Sequence, residues 1–174
     1  MARRFLLMAS IIAVVMLVVP VSARAVTSFD PNDPGSLLDI RSVSRVELND
    51  DRLQLTMVFW DRTPIHVLRR RAARVEMSFT GPHHATAESI VRFWPNQRGR
   101  LRVTWGEAGS TCCGHDGARH PDPHTYTTAI GIDPTRGTIE SFRAVSTRRL
   151  NCSFETRCGI LGGRTIDRSP WTRG

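Results

Sequence analysis

The residues of this chain best suited to chemistry are crowded into one stretch, Cys112-Cys113-Gly114-His115-Asp116-Gly117-Ala118-Arg119-His120-Pro121-Asp122-Pro123-His124. Imidazole, carboxylate and thiolate are the donors that zinc and copper take. The alternation His120-x-Asp122-x-His124 would put three of them on one side of an extended segment. A metal reading would therefore rest on His115, His120, Asp122 and His124, with zinc or copper as the ion. The spacing fits no established metal signature, and Pro121 and Pro123 restrict how the ligands converge. A solvated polar loop is the plainer expectation. A cysteine nucleophile would pair Cys112 or Cys113 with one of these histidines, but no local signature of a cysteine hydrolase is present. The nucleophile-elbow, zincin, P-loop and EF-hand patterns are also missing, and Glu76, Glu88, Glu107, Glu140 and Glu155 are too dispersed to mark a glycosidase pair. An enzyme is not the expectation, and no cofactor is required.

The start of the chain sets the compartment. Arg3 and Arg4 precede an apolar run from Phe5 to Val19, Pro20 ends it, and Ala23-Arg24-Ala25 offers small residues for a cleavage site. These are the three parts of a secretory signal. The run is shorter than the ~20 apolar residues a membrane helix needs. We expect a signal peptide over 1–25 with cleavage after Ala25, an extracellular product and no transmembrane anchor in the mature form. Four cysteines in an oxidising compartment imply bridges. Cys152 can pair with Cys158, leaving the neighbours Cys112 and Cys113, or the two segments can be tied to each other. The second choice closes loops of roughly 40 residues, worth about 3–4 kcal/mol in the chain-entropy model. Because a vicinal bridge strains its peptide, the long-range pairings are favoured.

The formal charge is +8, falling to +5 without Arg3, Arg4 and Arg24, and there is no Lys anywhere in the chain. Codon bias accounts for that uniformity more simply than a demand for guanidinium chemistry, although Arg would suit bidentate anion recognition. Two clusters stand out. Arg69, Arg70, Arg71 and Arg74 form one; Arg98, Arg100 and Arg102 form the other, opposite Leu101, Val103 and Trp105. Such a row is a solvated outer face first, and a docking face for an anionic cell-wall polymer or glycan second. With one Tyr in the chain, base stacking is poorly supplied, so nucleic acid is not the expected partner.

Alternation sets the architecture. A Pro- and Asp-rich lead-in spans 26–36, and its acids Asp30 and Asp33, with Asp39 beyond, read as turn residues rather than a calcium site. A strand pattern with a phase slip near Ser42-Val43 predicts a bulge or two short strands. Leu53, Leu55, Met57 and Phe59 give the clearest strand, forming a hairpin with the segment before Asn49-Asp50-Asp51. Ile65 to Arg74 suits a short helix or irregular connection. Val75, Met77 and Phe79 resume period two, and the runs on either side of Asn96 to Gly99 predict a second hairpin. Residues 106–124 read as a loop. Tyr126–Ile132 and Thr138–Val145 predict a third hairpin about 133–137, and a short strand is expected at Arg164 to Asp167. About seven strands at such spacing predict a single all-β domain over 37–174, an antiparallel β-sandwich.

The opening Asp30-Pro31-x-Asp33-x-Gly35-x-x-Leu38-Asp39-Ile40-Arg41-x-Val43, the strand Arg52 to Trp60 and the closing Asp167-Arg168-Ser169-Pro170 resemble a set of secreted bacterial single-domain proteins of uncharacterised function. The resemblance implies an immunoglobulin-like or jelly-roll sandwich and no activity. It also implies that the two C-terminal cysteines pair with each other, against the long-range bridges favoured above. The expectation is therefore a secreted, basic binding or interaction module. A small metal-binding protein or metal-dependent enzyme centred on 112–124 is the alternative.

Overall fold

A computed structural model describes residues 25–32, 38–49, 51–69, 71–81, 84–107, 114–132, 138–148 and 164–173. For residues 84–88, 107, 114–116, 148 and 164–166 it describes the backbone alone. The expected signal segment falls outside these residues apart from Ala25, as do Arg70 and all four cysteines, Cys112, Cys113, Cys152 and Cys158. Among the described residues, no helix is long and apolar enough to cross a membrane.

The chain is almost entirely antiparallel β-sheet. Its strands are β1 (Ala25–Phe29), β2 (Ile40–Asn49), β3 (Arg52–Phe59), β4 (Arg71–Gly81), β5 (His84–Pro95), β6 (Leu101–Glu107), β7 (Gly114–Asp122), β8 (Thr125–Gly131), β9 (Thr138–Arg148), β10 (Arg164–Arg168) and β11 (Thr172–Arg173). One hydrogen-bonded path joins them in the order β1-β2-β3-β8-β7-β6-β5-β4-β9-β10, with β11 on β9. Among the described residues eleven strands stand where about seven were expected, partly because the lead-in and the presumed loop each contribute one.

Period two decides which side faces in. Along β3, Leu53, Leu55, Met57 and Phe59 are buried while Gln54, Thr56 and Val58 are half-buried on the other face. Val75, Met77 and Phe79 of β4, Val91 and Phe93 of β5, Val103 of β6 and Phe142 and Ala144 of β9 join them in one core. The sheet therefore folds over, so that the faces of β3 and β8 meet those of β4, β5, β6 and β9. Tyr126 of β8 marks the meeting, its ring 5.3 Å from Phe59 and 5.9 Å from Phe93. Its phenol donates to the Thr63 carbonyl at 2.7 Å, and Thr63 N–H donates to the Pro123 carbonyl at 2.7 Å. These bonds pin the β3–β4 connection, which holds a 3₁₀ helix, Ile65–Arg69, rather than a longer helical stretch to Arg74.

The β2–β3 and β5–β6 hairpins form as their patterns predict. The bulge is present between Ile40 and Ser42. Beyond it the inward positions are Val43 and Arg45, so Val46 is half-buried and Leu48 exposed. Arg45 is tolerated inside because it pairs with Glu47 at 2.9 Å and lies 5.7 Å over the Phe142 ring. On the outer face of β4, buried Glu76 accepts from Arg74 at 2.8 Å and Arg143 at 2.7 Å. Arg143 in turn lies 4.4 Å over Trp171.

Two expectations are corrected. Residues 114–122, read as loop, form β7, which pairs with β6 through 114–117 and with β8 through 118–122. It passes from one half of the sheet to the other, and along 117–122, where its side chains are described, none is fully buried, so no alternating run of apolar residues marks it. The pairing with β8 is interrupted between Arg119 and Asp122, and that gap admits Pro121, which has no N–H to give. The third predicted hairpin does not form, since β8 pairs with β3 and β7 while β9 pairs with β4, β10 and β11. A turn-like 133–137 is a local signal, and the partners that bury Tyr126 and Phe142 outweigh it.

Tyr126 is the one tyrosine, and no lysine titrates near it. Burial pushes its phenol well above the ordinary 10.0. A raised folded value means the stabilisation is complete below pH 10.0 and is lost as pH rises above it, when the unfolded chain ionises. Tyrosinate absorbance is thus expected to appear only together with unfolding. Tyr126→Phe, which leaves the buried Thr63 carbonyl unmatched, is expected to lower stability at neutral pH by about 1–3 kcal/mol in urea titration.

Candidate functional site

Antiparallel register gathers the start of β4, the β5–β6 turn, the end of β7, the β7–β8 turn and the end of β3 at one end of the sheet. Arginine dominates what this end shows to solvent. The β5–β6 turn is shaped by Asn96, whose carbonyl accepts from Gly99 N–H and whose side chain accepts from Arg100 N–H, both at 2.9 Å. Gly99 sits at φ 73°, a conformation that L side chains rarely adopt. Arg98 and Arg100 project from this turn, exposed, and Arg102 follows as an exposed residue of β6. The expected single strand face of Arg98, Arg100 and Arg102 is therefore corrected: only Arg102 lies in the strand, because the chain reverses just before it.

Gly117 of β7 stands beside Arg102, and a Cβ there would meet nothing within 4 Å. Two residues further, on the same face, Arg119 is exposed. Arg62 is exposed across an open cleft lined by Pro64, His120, Pro121, Asp122 and Pro123. Sequence reasoning missed Arg62 and Arg119. The first lies in a connection, and the second was counted as part of a loop. Of the other predicted cluster, Arg69 is exposed at the end of the 3₁₀ helix, which packs on β5, while Arg70 falls outside the described residues.

Ion pairing separates the guanidiniums. Arg45, Arg74 and Arg143 are committed to Glu47 and Glu76. Among the described residues, Arg62, Arg98, Arg100, Arg102 and Arg119 have no carboxylate in ion-pair range. The exposed acids at this end are Asp61 and Asp122.

The predicted metal residues lie in the same region. His120 Nδ1 is 2.9 Å from the Thr125 carbonyl, and its ring meets Tyr126 edge-on at 4.9 Å. Nε2 is thus the nitrogen left for a ligand. His124 N–H donates to Asp122 Oδ1 at 2.8 Å across the Pro123-His124 turn. The side chain of His115 is outside the description. His120, Asp122 and His124 do not by themselves bring three ligand atoms together. A different set does: one carboxylate oxygen each of Asp30, Asp39 and Asp167 lies within 4.8 Å of the others, and all three residues are buried. Asp30 and Asp39 come from the acidic opening; Asp33 is outside the described residues.

Neither a protein-family model, nor a curated protein, nor a solved structure matches the chain.

The Asp122 carboxyl is held below its ordinary 3.8 by a hydrogen bond from the Thr125 side chain and, next, by the His124 N–H. A depressed folded value adds stability above pH 3.8 that is lost as pH falls through the folded pKa. Carbon-detected NMR titration is expected to show Asp122 titrating below 3.8, and Thr125→Val is expected to move it back up towards that value.

Proposed function

We propose that this chain is an exported binding module without catalytic activity, which uses its arginine-rich end to hold an anionic surface polymer. In this reading the folded-over sheet is a two-layered sandwich of the immunoglobulin or jelly-roll kind, delivered by the N-terminal segment and staying outside the cell. One observation carries the proposal: Arg98, Arg100, Arg102 and Arg119 are exposed at one end and, among the described residues, free of ion pairs. The buried and half-buried guanidiniums of Arg45, Arg74 and Arg143 are neutralised by Glu47 and Glu76. A solvated guanidinium is ordinary by itself, and several gathered at one end are available to an anion from outside.

The bare Gly117 beside Arg102 fits an extended polyanion, because a flat backbone lets the chain lie against the sheet while guanidiniums grip its charged groups from either side. Such attachment releases counterions and weakens steeply with salt. Arg69 and Arg62 extend the same end and would lengthen the contact.

Retention on immobilised heparin, with neutral dextran as control, tests this. Retention on heparin alone, eluting earlier as salt rises, is expected. Replacing Arg98, Arg100 and Arg102 together by Gln is expected to lower the slope of log affinity against log salt by about 2–3, close to one per lost contact. Equal retention of the triple variant, or equal binding to dextran, overturns the reading. Zinc and copper content of the same preparation, compared with His120→Ala, addresses the metal alternative.

A further inference from the structure

Asp30 follows β1, Asp39 precedes β2, and Asp167 lies in β10 at the far end of the strand order. Their relative exposures are 8%, 3% and 7%. Three carboxylates whose oxygens lie within 4.8 Å of one another repel each other when ionised. Carboxylates gathered this closely are the donor set that a hard cation takes.

A second observation comes from β9. Ser146 stands directly across from Asp167 in the β9–β10 ladder. Opposed residues of an antiparallel pair leave the same face, with Cβ atoms about 5 Å apart. Ser146 is fully buried, and its hydroxyl has no hydrogen-bond partner among the described residues. A buried hydroxyl without a partner is uncommon, and this one sits beside a carboxylate with nothing of its own to bind.

We propose that Asp30, Asp39 and Asp167, with Ser146 beside them, form a calcium site that clasps the two ends of the sheet. The donor set is oxygen only, which favours a hard cation over zinc or copper. Three oxygens that all lie within 4.8 Å of one another have a common centre at most about 2.8 Å from each, so a small inward adjustment brings all three to the 2.3–2.6 Å typical of calcium, and a larger one would be needed for the shorter bonds of magnesium. Water and main-chain carbonyls complete the shell. The Ile40 N–H donates to Asp167 Oδ2 at 2.7 Å, so that carboxylate is already oriented between β2 and β10. This site is independent of the arginine-rich end.

The experiment is a calcium titration of the EDTA-dialysed full chain, read by thermal unfolding. The melting temperature is expected to rise by about 10 °C when calcium stands roughly a thousandfold above its Kd. Asp167→Asn is expected to abolish the rise and, in EDTA, to melt no lower than the parent. Ser146→Ala, which should fold normally, is expected to weaken calcium binding by about 10–100-fold. Trp60 provides a signal that does not depend on melting, since its indole N–H donates to the Asp30 carbonyl at 3.3 Å. Terbium bound at this site is expected to emit on tryptophan excitation, to be displaced by calcium, and to lose that emission in Trp60→Phe while the calcium-induced shift persists. No shift at about 10 mM calcium, beyond the weakest extracellular sites, overturns the proposal. So does an Asp167→Asn protein that keeps the shift. Should Asp167→Asn fail to fold, unchanged affinity in Ser146→Ala together with absent terbium emission overturns it equally.

Discussion

The hydrogen bond from Ile40 N–H to Asp167 joins residues 127 apart in sequence and eight places apart in strand order. The rest of the fold depends on that closure. An open antiparallel sheet has two edges, and unpaired edge backbone invites association with other chains. Here the sheet bends until β1 and β2 come against β9 and the C-terminal strands. The Ser28 hydroxyl donates to the Pro170 carbonyl at 3.2 Å, and Arg45 of β2 lies over Phe142 of β9. Ser169 continues the line, donating its N–H to the Ala144 carbonyl while its hydroxyl accepts from Ala144 N–H, each at 3.0 Å. It bridges the gap between β10 and β11 along one edge of β9. These contacts close the side away from β7 and add to the shared hydrophobic core that already joins the inner faces.

A single cation type serves two ends in this molecule. Inward or between strands, arginine is neutralised: Arg45 by Glu47 and an aromatic face, Arg74 and Arg143 by the two oxygens of Glu76. The planar guanidinium suits this, because it can donate to a carboxylate at one edge while its face rests on Phe142 or Trp171. An ammonium would lose the stacking. At the turn end the same side chain is left to water. The difference is one of position rather than residue type, which is why the run of arginines in the sequence did not distinguish structural from available charge.

What the sequence disclosed follows from the range of the interactions involved. Leu53 to Phe59 could be assigned by alternation because each residue meets the same two faces along the strand. The slip at Ser42-Val43 was equally visible, since a bulge disturbs the alternation where it occurs. β7 was hidden because it changes partners midway, and alternation fails in a strand that belongs to both halves. The separation of β8 from β9 was hidden because a turn can be read from five residues, whereas the ladder partners Met57 of Tyr126 and Met77 of Phe142 lie more than sixty residues away. Of the arginines at the exposed end, the Arg98 to Arg102 run announced itself by spacing. Arg62 and Arg119 reach it only through the topology.

The buried acids show the same limit in a sharper form. Asp30, Asp33 and Asp39 form an acidic opening, which near prolines and a glycine reads most simply as turn residues. Asp167 carries no local signal, and closure of the sheet is what turns a pair into a triad. Closure and carboxylate repulsion therefore oppose each other at one seam. The folded edge brings three acids together, their charges resist it, and Ile40 N–H and the Ser169 contacts offset part of that resistance. A cation between the acids would reverse the sign of the electrostatics. With an ion between them the same three acids would draw the two edges of the sheet together.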